Sequence, residues 1–312
     1  MRAVRSTEDG IAVVQVPDPS GEGVRVRPRS IGICQTDIHL SRLGALPQTL
    51  GHEFSGVTED GTPVAIEPLK PCGRCEDCLV GDYHWCERSY AMIAGVGFDG
   101  GMADEIILPE RCLVPLPAGL PVGDAALCEP LAIHLHSLAL ARLESRMRVA
   151  VVGGGSTGFG LLGAAAALWR GCRVDVDTPE DHLLEAAERL GAGIGLSGRY
   201  DIVIEGEGSE GSIHRAAKAA RPGGTLLLVA GYYTDKTIAV TPFVAKELTV
   251  IWGTLYGHHA AGRSFDSAAA LLARRPEIAT TMISHRFPLD AAAVAFALVS
   301  SDTPSRKVIL EP

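Results

Sequence analysis

The chain has 312 residues, 46% of them hydrophobic and only 5% aromatic, enough to bury a substantial core and to form two domains. Its 28 lysines and arginines against 37 aspartates and glutamates leave a net charge of −9. No basic cluster interrupts that balance, which argues against a nucleic-acid partner or an anionic membrane surface.

The opening MRAVRSTEDGIAVVQVPDP carries charges at Arg2, Arg5, Glu8 and Asp9 and no apolar core, so it does not read as a signal peptide. A cytoplasmic, reducing setting is the expectation. The first third is short and strand-like, broken by Pro and Gly: IAVVQVP, GVRVRPRSIGI, GTPVAIEP and MADEIILP. Within it, GICQTDIH and GHE supply Cys34, His52 and Glu53, a thiolate, an imidazole and a carboxylate. That mixture suits a zinc ion that keeps one position open for substrate, although singly each residue has an ordinary reading as a buried thiol, a core imidazole or a cap. The stretch PCGRCEDCLVGDYHWC then places Cys72, Cys75, Cys78 and Cys86 at C-x2-C-x2-C-x7-C spacing, half of the chain's eight cysteines. In a reducing compartment such a loop converges more naturally on zinc than on disulfides, a reduced or redox-active cluster being the alternative. Four thiolates close the metal's coordination, so this site is structural.

From Val149 the rhythm changes to alternating apolar strands and Ala/Leu-rich helices, the mark of a parallel sheet flanked by helices. The uncharged run Val149–Trp169 is long enough to span a bilayer, but it opens as a strand and is crowded with glycines, which favours strand, turn and helix over a membrane span. GGGSTG follows the strand VAVV and precedes a helix, with Gly153, Gly155 and Gly158 in the G-x-G-x-x-G pattern and Ser156 and Thr157 between them. In that context the loop brings backbone N–H groups and a helix N-terminus to a dinucleotide pyrophosphate. The next strand, CRVDVD, ends at Asp177, the expected acceptor for the adenosine ribose hydroxyls, with Asp175 as a rival. The following TPEDH offers no Arg or Lys for a 2′-phosphate, so NAD is favoured over NADP. After Gly262 come the helix SFDSAAALLARR, the strand TTMISHRF, the helix DAAAVAFALVS and the strand RKVILEP.

GICQTDIH, GHE, the four-cysteine loop, CEPLA at Cys128–Ala132, GGGSTG and the closing HRFPLDAAAVAFA and KVIL resemble, in that order, the zinc-dependent medium-chain dehydrogenase/reductase family, the alcohol and polyol dehydrogenases. The resemblance covers essentially the whole chain. It implies an α/β fold: a Rossmann-type doubly wound parallel sheet for the coenzyme over residues 133–262, and a GroES-like β-rich catalytic domain with two zinc ions over residues 1–132 and 263–312. Cys34 and His52 would ligate the catalytic zinc, Glu53 would bind or release it, and Glu129 would be a further ligand or would hold the metal's water, with Cys128 a lesser rival. Asp37 would orient His52, Thr36 and His39 would pass the substrate proton to solvent, and Gln35 would line the substrate pocket. The implied reaction is hydride transfer between a secondary alcohol or polyol and NAD(P), in a homo-oligomer, dimer or tetramer. A reductase running the same site backwards on a ketone, aldehyde or imine, or a coenzyme-binding protein without turnover, are the alternatives. His134 and His136, after EPLA, read as packed or solvated helix residues.

Overall fold

A computed structural model describes residues 1–155, 157–259 and 262–312, apart from the side chain of Tyr90. An antiparallel hairpin of β1 (Arg2–Thr7) and β2 (Gly10–Gln15) opens the chain. There follow β3 (Val24–Gly32), α1 (Gln35–Ser41), β4 (Glu53–Thr58), β5 (Pro63–Ile66), α2 (Glu76–Val80), β6 (Ile106–Leu108) and β7 (Leu113–Pro115). Helix α3 (Cys128–Leu140) leads to β8 (Arg148–Val152), α4 (Phe159–Trp169), β9 (Arg173–Asp177), α5 (Asp181–Leu190), β10 (Gly193–Ile194) and β11 (Tyr200–Glu205). Next are α6 (Glu210–Ala219), β12 (Ala220–Leu228), α7 (Thr241–Lys246), β13 (Thr249–Trp252), β14 (His258–His259) and β15 (Gly262–Arg263). The chain closes with α8 (Ser264–Arg274), α9 (Glu277–Met282), β16 (Ile283–Pro288), α10 (Ala292–Val299) and β17 (Lys307–Glu311).

Two large sheets result. One runs β16-β17-β3-β4-β5-β7, with β6 on β3, and is antiparallel except where β16 meets β17. The other runs β10-β9-β8-β11-β12-β13, parallel throughout. Its strand order reverses between β8 and β11, which opens a crevice beyond the strands' carboxyl ends. Helices cover both faces of this sheet, so β8 is buried almost along its length and reads RVAVV rather than alternating. Helix α4 is buried nearly all round, and its small residues are why: a Cβ at Gly160 would lie 2.7 Å from the Gly153 carbonyl oxygen, and one at Gly163 would lie 2.7 Å from His134 Nδ1.

The apolar cores follow the sheets. Val26, Ile31, Phe54 and Val64 pack with Phe296 and Val308 of the closing segment. A second core joins Leu131, Leu161 and Leu183 to Phe265, Leu271 and Met282. Helices α8 and α9, expected with the β-rich part, therefore bury their apolar faces beside α3, α4 and α5. The sequence TTM, read as strand, is the end of α9, because Ile278 and Met282, one helical turn apart, both enter that core. Strand β12 starts at Ala220 and takes in the RPGG stretch before its apolar end. Among the described residues no helix is long and apolar enough to cross a membrane.

Candidate functional site

Strand β3 ends at Gly32, and Cys34 caps α1: the Asp37 carboxylate accepts the Cys34 N–H at 2.9 Å and the Gly51 N–H at 3.2 Å. Across the register Gly32 faces Glu53, the first residue of β4, and a Cβ there would lie 2.2 Å from the Glu53 carboxylate. The glycine makes the room that this side chain fills. One donor atom each of Cys34, His52 and Glu53 lie within 4.8 Å of one another, half-buried or buried. His52 Nδ1 sits 3.5 Å from Asp37 Oδ1 without closing a hydrogen bond. Burial pulls the imidazole's pKa down, but Asp37 and Cys34 outweigh it and hold it well above the usual value. A pocket that favours positive charge at a buried imidazole between a thiol and two carboxylates fits a divalent cation.

Two neighbours refine the set. Lys307, the first residue of β17 and fully buried, donates to Glu53 Oε1 at 2.8 Å and stands 2.6 Å from Oε2. Burial lowers its pKa and Glu53 more than restores it, so the ammonium persists. Glu53 is thus anchored from behind. Glu129, in the first turn of α3, is buried and pushed up to about 8, with His52 the main opposing influence. Its carboxylate lies outside the 4.8 Å donor cluster. Burial keeps the Cys128 thiol neutral, its pKa well above the usual value.

Thr36 and His39 project from α1 toward the parallel sheet. The Thr36 hydroxyl stands 3.7 Å from Cys34 Sγ and 2.9 Å from the Tyr233 hydroxyl. The Tyr233 and His39 rings stack with centroids 4.1 Å apart and planes 11° from parallel. Tyr233 comes from the loop after β12; burial and the nearby Cys34 push its phenol up to about 12. Nothing in VAGYYTDK marks it, beyond its place just past the carboxyl end of a parallel strand. Glu205, ending β11 and fully buried, organises the same region: it accepts from Gly208 N–H at 2.7 Å, Glu207 N–H at 2.9 Å and the Ser212 hydroxyl at 2.6 Å, and from the Tyr232 hydroxyl.

The glycine loop leaves β8 with Gly153, Gly155 and Gly158 at φ of 78°, 69° and 69°, a region that favours glycine. Gly153 N–H reaches the Asp177 carbonyl at 2.8 Å and Gly154 N–H the Thr178 hydroxyl at 3.2 Å, tying the loop to the end of β9. Thr157 is buried; Ser156 lies outside the described residues. Asp175 is committed elsewhere, accepting from the Tyr200 hydroxyl at 2.7 Å and Arg148 Nη2 at 3.3 Å, whereas Asp177 faces the crevice half-exposed.

In the four-cysteine loop the sulfurs of Cys72, Cys75, Cys78 and Cys86 all lie within 4.8 Å of one another, with Cys72 and Cys78 3.9 Å apart. That is far beyond the ~2.05 Å of a disulfide and matches the ~3.8 Å edge of a tetrahedron with ~2.3 Å zinc–sulfur bonds. Backbone N–H groups of Arg74 and Cys75 push the Cys72 thiol down to about 6, toward the ligating thiolate. Elsewhere His134 bonds the Phe159 carbonyl and His136 bonds His259, each at 2.8 Å, and burial pushes both down, to about 4 and about 3. These are packed imidazoles.

Residues 20–118 match the model of the alcohol dehydrogenase GroES-like domain. D-xylulose reductase A of Aspergillus oryzae is 32% identical over 270 residues, 75% of either chain. The crystal structure of galactitol-1-phosphate dehydrogenase from Escherichia coli matches with a TM-score of 0.88 at 28% identity and covers 100% of both chains. A zinc-binding dehydrogenase from Sinorhizobium meliloti, bound to NADP, matches at 0.84 and 28%, covering 100% of this chain and 99% of that one. The chain belongs to the zinc-dependent medium-chain dehydrogenase/reductase family, with a Rossmann-type parallel sheet beside a GroES-like catalytic domain. It is an oxidoreductase that uses zinc and a nicotinamide coenzyme on a small-molecule alcohol.

Proposed function

We propose that the protein oxidises the secondary hydroxyl of a polyol-type substrate, with NAD as hydride acceptor, at the Cys34–His52–Glu53 centre. The observation that carries this reading is the convergence, on one edge of the crevice, of that donor set with a hydroxyl, Thr36, placed to take a proton. On this reading residues 1–132 and 263–312 carry both zinc sites and residues 133–262 carry the coenzyme, with α8 and α9 lending apolar faces to the latter. Zinc, when bound, supplies a Lewis acid that makes an alcohol's proton easier to remove, and the coenzyme supplies the hydride acceptor.

The protein's own residues do the rest. Cys34 and His52 would hold the catalytic metal, Asp37 would orient the imidazole electrostatically from 3.5 Å, and Lys307 fixes the carboxylate of Glu53, whose release or binding of the metal it would regulate. Glu129, buried in the first turn of α3, would meet the open position or hold the metal's water. Thr36 accepts the substrate proton and passes its own on, with His39 as the final acceptor at the surface. Gly153, Gly155, Thr157, Gly158 and Asp177 would hold the coenzyme, Ser156 joining them from the loop. The four-thiol grouping of Cys72, Cys75, Cys78 and Cys86, a metal-type arrangement, supports a reducing cytoplasmic setting. The open edge strand β13, with Val250 and Trp252 exposed, supports a homo-oligomer.

Turnover on a panel of polyols and polyol phosphates tests the reading, with Cys34→Ser and His52→Ala as controls. Both variants should lose oxidation altogether yet still bind NADH, since the glycine loop lies on the other sheet. Substantial turnover in either variant sinks the assignment.

A further inference from the structure

The adenosine end of the crevice carries a cation that the sequence following Asp177 does not announce. Arg215, on α6, brings its Nε to 3.7 Å from Asp177 Oδ2 and its Nη2 to 3.3 Å from Glu207 Oε2. Asp177, Thr178, Pro179 and Arg215 line a cavity of about 250 Å³. The cavity adjoins the glycine loop: Gly154 N–H is bonded to Thr178, and a Cβ on Gly153 would lie 2.4 Å from Glu207 Cβ.

The electrostatics of this corner have a definite sign. Two carboxylates share one guanidinium, leaving a net charge of −1 from Asp177, Glu207 and Arg215. A 2′-phosphate would add about −1.5 to −2 beside them, whereas a ribose 2′-hydroxyl can donate to Asp177. Both ion pairs are loose, and Arg215 is 43% exposed, so its planar fork is not locked to either acid. Such a fork suits phosphate better than a lysine does.

We propose that coenzyme choice rests on the Glu207–Arg215–Asp177 bridge. Arg215 holds the Asp177 carboxylate toward the ribose and is itself a latent 2′-phosphate ligand that Asp177 keeps engaged. This deepens the reading above and rests on its placement of the coenzyme at the glycine loop and Asp177. It also makes Arg215 a positioning residue for NAD and the specificity-determining one once Asp177 is gone.

Calorimetric binding of 5′-AMP and 2′,5′-ADP to the zinc-replete enzyme tests it, with NADH and NADPH binding followed by fluorescence. Wild type should favour 5′-AMP by about tenfold or more, and Asp177→Ser should invert that preference by a similar factor, the size expected of one charge pair near the surface. Arg215→Ala should weaken 5′-AMP several-fold, with Arg215→Lys recovering part of it, a rescue that a merely structural role would not show. The double variant Asp177→Ser/Arg215→Ala should lose the gain for 2′,5′-ADP. The proposal is overturned if wild type prefers 2′,5′-ADP, if Arg215→Ala leaves 5′-AMP affinity unchanged, or if the double variant keeps the gain. Failure of wild type to bind NADH and both fragments would remove the coenzyme-site reading, and this proposal with it.

Discussion

At Glu53 and Lys307 a carboxylate and an ammonium meet with side chains only 1% and 2% exposed. Desolvating two charges is costly, and their attraction roughly offsets it, so the pair adds little stability compared with apolar groups; leaving one partner alone is what costs, about 3–5 kcal/mol. Lys307→Met should therefore destabilise chelator-treated protein by about that amount in denaturant melts. Glu53→Gln added to Lys307→Met should recover most of the loss, because the neutral amide no longer leaves a charge buried without its partner. A double variant as unstable as Lys307→Met alone would mean that Lys307 acts through packing. None of this was legible in the sequence, because Glu53 and Lys307 stand 254 positions apart and meet only when β17 closes on β3. KVIL shows an apolar strand; it does not show which strand it will join.

The four-cysteine excursion makes the opposite case at the scale of an element. Its helix α2 has five residues and none of them is buried, so no apolar face ties it to the sheet. A metal held by the four sulfurs would supply that tie, and the spacing points to it because all four donors lie within one loop of fifteen residues, Cys72–Cys86. Cys75→Ser should lower the melting temperature by several degrees, since the free energy of metal binding at such a site is folding free energy. It should also expose Pro71–Cys86 to limited proteolysis, and a wild-type melt and digestion pattern would remove the structural role. Local sequence revealed Cys34 and the glycine loop for the same reason. Each owes its conformation to neighbours within a few residues: the Asp37 cap for Cys34, left-handed glycines for the loop. Where tertiary packing decides, the sequence reading slips. TTM carries two threonines that favour a strand, yet it stays helical because Met282 is drawn into the core shared with Leu131.

For the molecule as a whole, the proposed relay bridges the two sheets. Thr36 and His39 ride on α1 of the antiparallel sheet, while Tyr233 arrives from the parallel one, its hydroxyl 2.9 Å from Thr36 and its ring stacked on His39. Replacing the three should therefore give a graded series. Thr36→Ala removes the first proton acceptor and should slow alcohol oxidation by about 10²–10⁴-fold, while Thr36→Ser keeps most of the rate. Tyr233→Phe keeps the stack and loses only the hydroxyl; because that side chain is 42% exposed, water can take its place, so the loss should stay within about tenfold. His39→Ala should fall between them and recover partly with imidazole buffer, since a small base can replace the last member of a relay but not the first. NADH affinity should hold in the Thr36 variants, which separates a lost proton path from a lost coenzyme site. The measurement is kcat in light and heavy water, with a deuterated alcohol used to establish that hydride transfer limits the rate. If Thr36→Ala then oxidises alcohol at the wild-type rate with an unchanged solvent isotope effect, the substrate proton leaves by a route that avoids α1, and the contact between the sheets serves only to hold them together.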